Sequence, residues 1–336
     1  MTIMDTIPDP LATRQRVLTR AISSLVAWLA TFFFVFPVAV ELAAVTRLLL
    51  FALIVVAPLP LALIAATETD SRIAQMLRRA QTVYLPAAIL AVAAILLPIG
   101  PISAAFVIPW LVFTALVALA GLARLRTHPL SHLDELSIDA GLLYLPVGGV
   151  WLLLSRLGVN PLNFGDTIVL LTAVHFHFAG YSAPVIAGLA GRRLRELAPA
   201  ALPLFRLVAL GIIAGMTLVA IGITLTAVLG LLLPEAIAVA ILALSLMGLS
   251  LLVLRYILPA AEQPGTRLLL LVSGLSPLIT MLVALAYSAG RLTGAWSITL
   301  PQMIDWHGYI NAIGFVFCSL LAWLLSPATL SNSDPL

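Results

Sequence analysis

The strongest constraint in this 336-residue chain is a succession of apolar runs, each about 20 residues long, separated by connections too short to form a domain of their own. A run of that length matches the ~30 Å hydrocarbon thickness of a bilayer at the helical rise of about 1.5 Å per residue. Within the bilayer the backbone must satisfy its own hydrogen bonds, so such runs become helices. Charged residues make up only 9% of the chain, against roughly 25% in an ordinary soluble domain. The sequence therefore predicts an all-α, polytopic transmembrane helix bundle with the lipid bilayer as its first partner.

About ten spans can be placed, at residues 21–42, 46–66, 83–99, 102–123, 138–157, 167–190, 207–232, 236–258, 268–289 and 302–325. The third is short and interrupted by Pro86. Residues 1–20 read as a polar tail, 21–325 as one membrane domain and 326–336 as a second tail. The polar loops near 67–82 and 124–137 are too short to enclose a core. The apolar run after the first arginines is longer than the ~7–15 residues of a signal-peptide core and lacks a small-residue cleavage site, so it reads as a retained first span.

Every basic side chain is an arginine, and the net charge is only +3. With ten spans, all arginines except Arg47, Arg156 and Arg291 fall on one side. Positive residues in short loops stay in the cytoplasm. The expected topology is therefore cytoplasmic N- and C-termini in a bacterial inner membrane, multi-pass. Because the arginines are scattered through loops, they are a topology signal, and no nucleic-acid partner is implied. Cys318 is the only cysteine and lies in an apolar run, which excludes an intramolecular disulfide and a cysteine-based metal site.

Ionisable groups deep in a span are functional candidates. The sixth span carries His175-Phe176-His177, about 13 and 16 Å below the outer surface if the helix starts at Asp166. Two positions apart is about 200° of rotation, so on a regular helix the rings address different neighbours. The tenth span carries His307 and Asn311, about 9 and 15 Å below the same surface and on one helix face. The sixth and tenth spans run in the same direction, so these polar layers can meet. Tyr181 is one turn from His177 and within reach of it. On the fifth span, Asp139 near the cytoplasmic start reads as a proton-path carboxylate or as an ordinary first-turn acid, and Tyr144 lies about two turns deeper.

The alternative for the histidines is a set of neutral imidazoles bonded to neighbouring helices. Two histidines at bilayer depth with a third on a parallel helix shift the balance toward function. Imidazole serves both metal and proton chemistry. His175, His177 and His307 are thus candidate ligands to haem, copper, iron or zinc. The same residues could instead line a proton or substrate path, with Pro184, Gly274 and Pro277 breaking helices as in transporters, or take an apolar small molecule from the membrane. A structural or regulatory subunit is the third reading.

No HExxH, CxxCH or GxSxG motif occurs. His128 and His132 have zinc-like spacing, but Pro129 breaks any helix through them, and their loop reads as cytoplasmic and exposed. Arg206 is expected to snorkel, Asp305 to sit at the interface, and Trp151, Trp296 and Trp306 to form the aromatic belt.

Three segments, IDAGLLYLPVGGVW, TAVHFHFAGYSAPVIAG and HGYINAIGF, in this order, resemble the YndJ-like family of bacterial membrane proteins, across about 134–315. That family is functionally uncharacterised. The resemblance implies the fold type and the site positions His175, His177, His307 and Asn311. The His175-Phe176-His177 element alone is similar to the NnrS haem-copper membrane proteins, but departs from them at Phe178-Ala179.

Overall fold

A computed structural model describes residues 10–33 and 40–326 of the chain. The described elements are helices α1 (Pro10–Ala30), α2 (Leu42–Thr67), α3 (Ser71–Leu96), α4 (Pro101–Arg124), α5 (Leu133–Leu157), α6 (Asp166–Leu197), α7 (Pro199–Leu229), α8 (Leu232–Ala260), α9 (Pro264–Thr293) and α10 (Leu300–Leu325). Nine of these, α2 to α10, are long and apolar enough to cross a membrane, and no strand occurs among the described residues. Of the first span, the described apolar part is Ala21–Ala30. The remainder includes residues 34–39, which lie outside the described residues, as do 327–336 of the C-terminal tail.

Helix boundaries differ from the sequence expectation in one systematic way: helices continue beyond the apolar runs. The third span is not short, because Asp70 caps α3, its carboxylate accepting from the N–H groups of Arg72 (2.8 Å) and Ile73 (3.1 Å). The stretch expected as a loop before residue 83 is therefore mostly helix. Likewise α5 begins at Leu133, leaving only residues 125–132 as connection. Hydropathy marks where a helix meets lipid, whereas capping marks where it starts.

Sequential helices pack as antiparallel neighbours, and the buried centre is formed by α2 and α6. Their most apolar windows are 78% and 72% buried, against 28% in α3. Both central helices are irregular. In α2 the Ala57 N–H reaches the carbonyl of Ala52, five residues back, within a π-helical turn at Ala52–Val56. Pro58 and Pro60 follow and supply no N–H. Backbone carbonyls left over at this turn would cost several kcal/mol each in a medium without water. Tyr84 of α3 donates its hydroxyl to Leu53 O (2.9 Å) and Ile54 O (3.1 Å), and Tyr181 of α6 donates to Ala57 O (3.0 Å).

Helix α6 changes to a π-helix over Phe176–Ser182 and returns to an α-helix at Ala183, with Pro184 in its first turn. The helix α10 is π-helical over Ile304–Phe317. Both irregular segments contain the histidines of interest, and π turns inside helices are frequent at functional sites.

Glycines let α5 approach α6. A Cβ at Gly141 would stand 2.6 Å from Tyr181 O, one at Gly188 2.5 Å from Asp134 O, and one at Gly148 2.7 Å from His177 Nδ1. Close approach through small residues is the main source of helix association in lipid, where burying apolar surface gives no advantage.

Candidate functional site

The two histidines of α6 have different fates. His177 is 1% exposed, and its Nδ1 lies 2.8 Å from Ala173 O. A carbonyl only accepts, so Nδ1 carries the ring proton. Trp110 of α4 donates its indole N–H to Nε2 at 3.2 Å, so Nε2 presents its lone pair. The Trp110 and His177 rings stack at 5.8 Å, and Gly148 closes the other side. His177 is held as a neutral imidazole with both nitrogens used. The sequence reading offered it as a metal ligand; in this arrangement both nitrogens are engaged by Ala173 and Trp110. Trp110 carries no local sequence signal that pairs it with His177.

His175 is half-buried and faces elsewhere. Its Nδ1 lies 2.9 Å from Leu171 O, which again puts the proton on Nδ1. His307 of α10 repeats the arrangement with Nδ1 3.1 Å from Thr280 O on α9. Among the described residues neither Nε2 has a hydrogen-bond partner, and the two rings are within electrostatic reach of each other. Of the two α6 histidines, it is His175 that interacts electrostatically with His307. An imidazole whose Nδ1–H is fixed by a carbonyl and whose Nε2 is free has the form of a metal ligand with its outer hydrogen bond in place.

Asn311 shares Thr280 with His307. The Thr280 Oγ1 lies 2.9 Å from Ser276 O and 2.8 Å from the Asn311 amide. One hydroxyl proton cannot serve two carbonyl acceptors. An amide turned with its NH2 toward Thr280 satisfies both bonds, Asn311 donating to Thr280 and Thr280 to Ser276. The other amide atom is then the buried one without a partner in this layer. Thr280 was not expected from the sequence, where it is one threonine among many.

Both tyrosines serve packing. Tyr181 is fully buried and bonds Ala57 O, so its expected bond to His177 does not form. Tyr144 donates to Ile213 O (2.7 Å), lies 2.6 Å from Thr217 Oγ1 on α7, and sets its ring beside Phe176.

Asp139 belongs to a different site, at the end of the bundle where α4 and α6 finish and α5 starts. Arg124 is its hub: it pairs with Glu68, with Glu135 (2.6 Å) and, through Nε, with Asp139 (2.8 Å). Arg192 grips both Glu135 oxygens at 2.7 Å and donates to Thr67 Oγ1 at 2.9 Å, and Arg195 pairs with Asp134. The second Asp139 oxygen lies 2.9 Å from His128 Nε2, close enough for an ion pair but off the line of a hydrogen bond. His128 is therefore not the exposed loop residue expected. It folds under the 125–132 connection onto Asp139, away from His132, which precedes α5. Among the described residues no group of three or more His, Cys, Asp or Glu has metal-binding geometry. The network joins two arginines, Arg124 and Arg192, to three carboxylates across four segments, and of these only Asp139 was singled out in the sequence.

Two clefts lie away from the histidines. One, about 540 Å³, is lined by Trp28, Arg47, Asp305, Tyr309 and others; the second, about 400 Å³, by Tyr287, Arg291 and Trp296 among others. Asp305, Tyr309 and Ile313 form one face of α10, while His307 and Asn311 point to α9. Trp296 and Trp306 are each 49% exposed, as belt residues should be, whereas Trp151 packs on Phe164.

A family model described as "YndJ-like protein" matches residues 47–315, which include every histidine and asparagine discussed above. A Bacillus subtilis (strain 168) protein named "Uncharacterized membrane protein YndJ" is 31% identical over 251 residues, covering 75% of this chain and 43% of the relative. The chain thus spans less than half the length of that relative. No solved structure gives a significant match.

Proposed function

The chain belongs to the YndJ-like family of membrane proteins, and we propose that within it His175 and His307 form an intramembrane two-imidazole site for a transition-metal ion or haem iron. The observation that carries this reading is the matched state of the two rings: each spends Nδ1–H on a backbone carbonyl and keeps Nε2 free, on two neighbouring helices within electrostatic reach. Imidazole nitrogen suits iron, copper and zinc. Asn311 lies in the same layer through Thr280. His177 has no place in the ligand set, and Tyr144 and Tyr181 hold the surrounding helices. The site lies in the inner membrane, with the Arg124 end in the cytoplasm.

The test is a UV–visible spectrum with metal analysis of detergent-purified full-length protein. A Soret band, or close to one Fe, Cu or Zn per chain, supports the site; a featureless spectrum with no stoichiometric metal, also after reconstitution with haemin, Cu and Zn, overturns it.

A second reading, a proton-coupled carrier, is favoured by one observation, the buried Asp139 oxygen that faces His128 without a proper hydrogen bond. In that reading Asp139 exchanges protons near the cytoplasmic face. Proteoliposomes whose proton flux is unchanged by Asp139→Asn would exclude it.

A further inference from the structure

At the end of α5 opposite to the Arg124 network, Arg156 is buried, with 9% of its surface exposed. Its side chain has one partner among the described residues, the neighbouring Ser155 Oγ at 3.2 Å, and its Nε is buried with none. Among the described residues no carboxylate comes within ion-pairing distance of it, and Asp166 acts on it only at longer range. By contrast, Arg124, Arg192 and Arg195 are paired with carboxylates, and Arg291 with Glu235. A buried cation with no ion-paired counter-charge is costly, and an anion bound directly at this guanidinium offsets that cost.

Its position says which kind. Arg156 lies in the last turn of α5, two residues before the left-handed Gly158 that ends the helix, hence at headgroup depth. Beside it Leu157, Val159 and Leu162 are 43%, 45% and 49% exposed. The connection that carries the last two is not slack: Asn160 Oδ1 accepts from Gly165 N–H at 2.9 Å, and Leu162 and Asn163 hold positive φ angles of 55° and 56°. A buried forked cation and exposed apolar side chains thus follow one another closely along the chain at this end of the bundle. A guanidinium presents parallel N–H groups that match two phosphate oxygens, and the apolar side chains fit the glycerol and upper acyl region of a lipid.

We propose that Arg156 and the apolar side chains of 157–162 form a binding site for the phosphate of an anionic phospholipid headgroup in the leaflet opposite to the Arg124 end. The site stands apart from the histidine layer and does not depend on it.

Native mass spectrometry of the full chain, released from mixed phosphatidylglycerol and phosphatidylcholine nanodiscs, tests this. Wild type should retain one phosphatidylglycerol in preference to phosphatidylcholine. Arg156→Gln should lose that retention by roughly tenfold or more, the effect of one charge-assisted pair. Arg156→Lys, which keeps the charge and loses the fork, should fall between them and guards against misfolding of the glutamine variant. Arg206→Gln, at an exposed arginine, should behave as wild type. Equal retention of the two lipids by wild type, or undiminished retention by folded Arg156→Gln and Arg156→Lys, would overturn the proposal. Displacement of the lipid by millimolar inorganic phosphate would assign the site to free phosphate and overturn the lipid assignment.

Discussion

Two histidines separated by one phenylalanine do different work, and a single hydrogen bond separates them. Trp110 takes the Nε2 of His177, whereas the Nε2 of His175 has no hydrogen-bond partner among the described residues. Trp110→Phe keeps the ring and removes the N–H, leaving a buried acceptor unpaired, and should lower stability by about 1–3 kcal/mol, measurable as a shift in thermal unfolding in detergent. His177→Ala should cost about 2–5 kcal/mol through the cavity it opens, while, on the proposed two-imidazole site, its folded fraction binds as much metal as wild type. A metal content that falls with His177→Ala per folded molecule would return His177 to the ligand set. His175, His177, His307 and Asn311 stood out in the sequence because ionisable and amide groups are scarce in spans. Their partners did not: Trp110 and Thr280 are ordinary membrane residues whose roles arise only from which helix they face.

At the scale of elements, helix irregularity and close approach set the geometry. The π turns of α6 and α10 shift the ring positions away from those of a regular helix, and nothing in HFHFAG or in HGYINAIGF other than glycines hints at them. Pro184 was visible as a helix break, but Pro58 and Pro60 were not singled out, nor were the tyrosine hydroxyls that satisfy the carbonyls of α2. Gly148→Ala places a methyl against the locked His177 ring and should destabilise by about 1–3 kcal/mol, without the relief available to a flexible neighbour. The Arg124 hub makes a larger demand. Replacing it by Gln leaves Glu68, Glu135 and Asp139 without their common cation and should cost about 3–5 kcal/mol, read as loss of monodisperse protein on size-exclusion chromatography. If Arg124→Gln behaves as wild type, the network is ornamental. Asp139 was legible as a buried-path candidate, but its tie to His128 was hidden by Pro129, which separates them from any helical periodicity.

For the whole molecule, the apolar runs foretold a multi-pass bundle, and the order of the three family-like segments foretold the family to which the chain belongs. The run lengths could not say which helices are central: α2 is as buried as α6, yet it carries no mid-span charge that would have marked it. Centrality in a bilayer is a property of small residues and neighbours, whereas hydropathy is the same toward lipid and toward protein. Among the described residues the bundle thus has a charge network at one end, and the proposed His175–His307 site deeper in, with α6 contributing Arg192 to the first and His175 to the second.

The most direct test is a ligand assignment by metal titration of wild type, His175→Ala, His307→Ala and His177→Gln, purified and reconstituted side by side with whichever of haemin, Cu or Zn the wild type retains. Loss of stoichiometric binding in both His175→Ala and His307→Ala, with near-normal binding in folded His177→Gln, is the predicted result. Binding that survives both of the first two substitutions, or that is lost only with His177→Gln, would contradict the two-imidazole site.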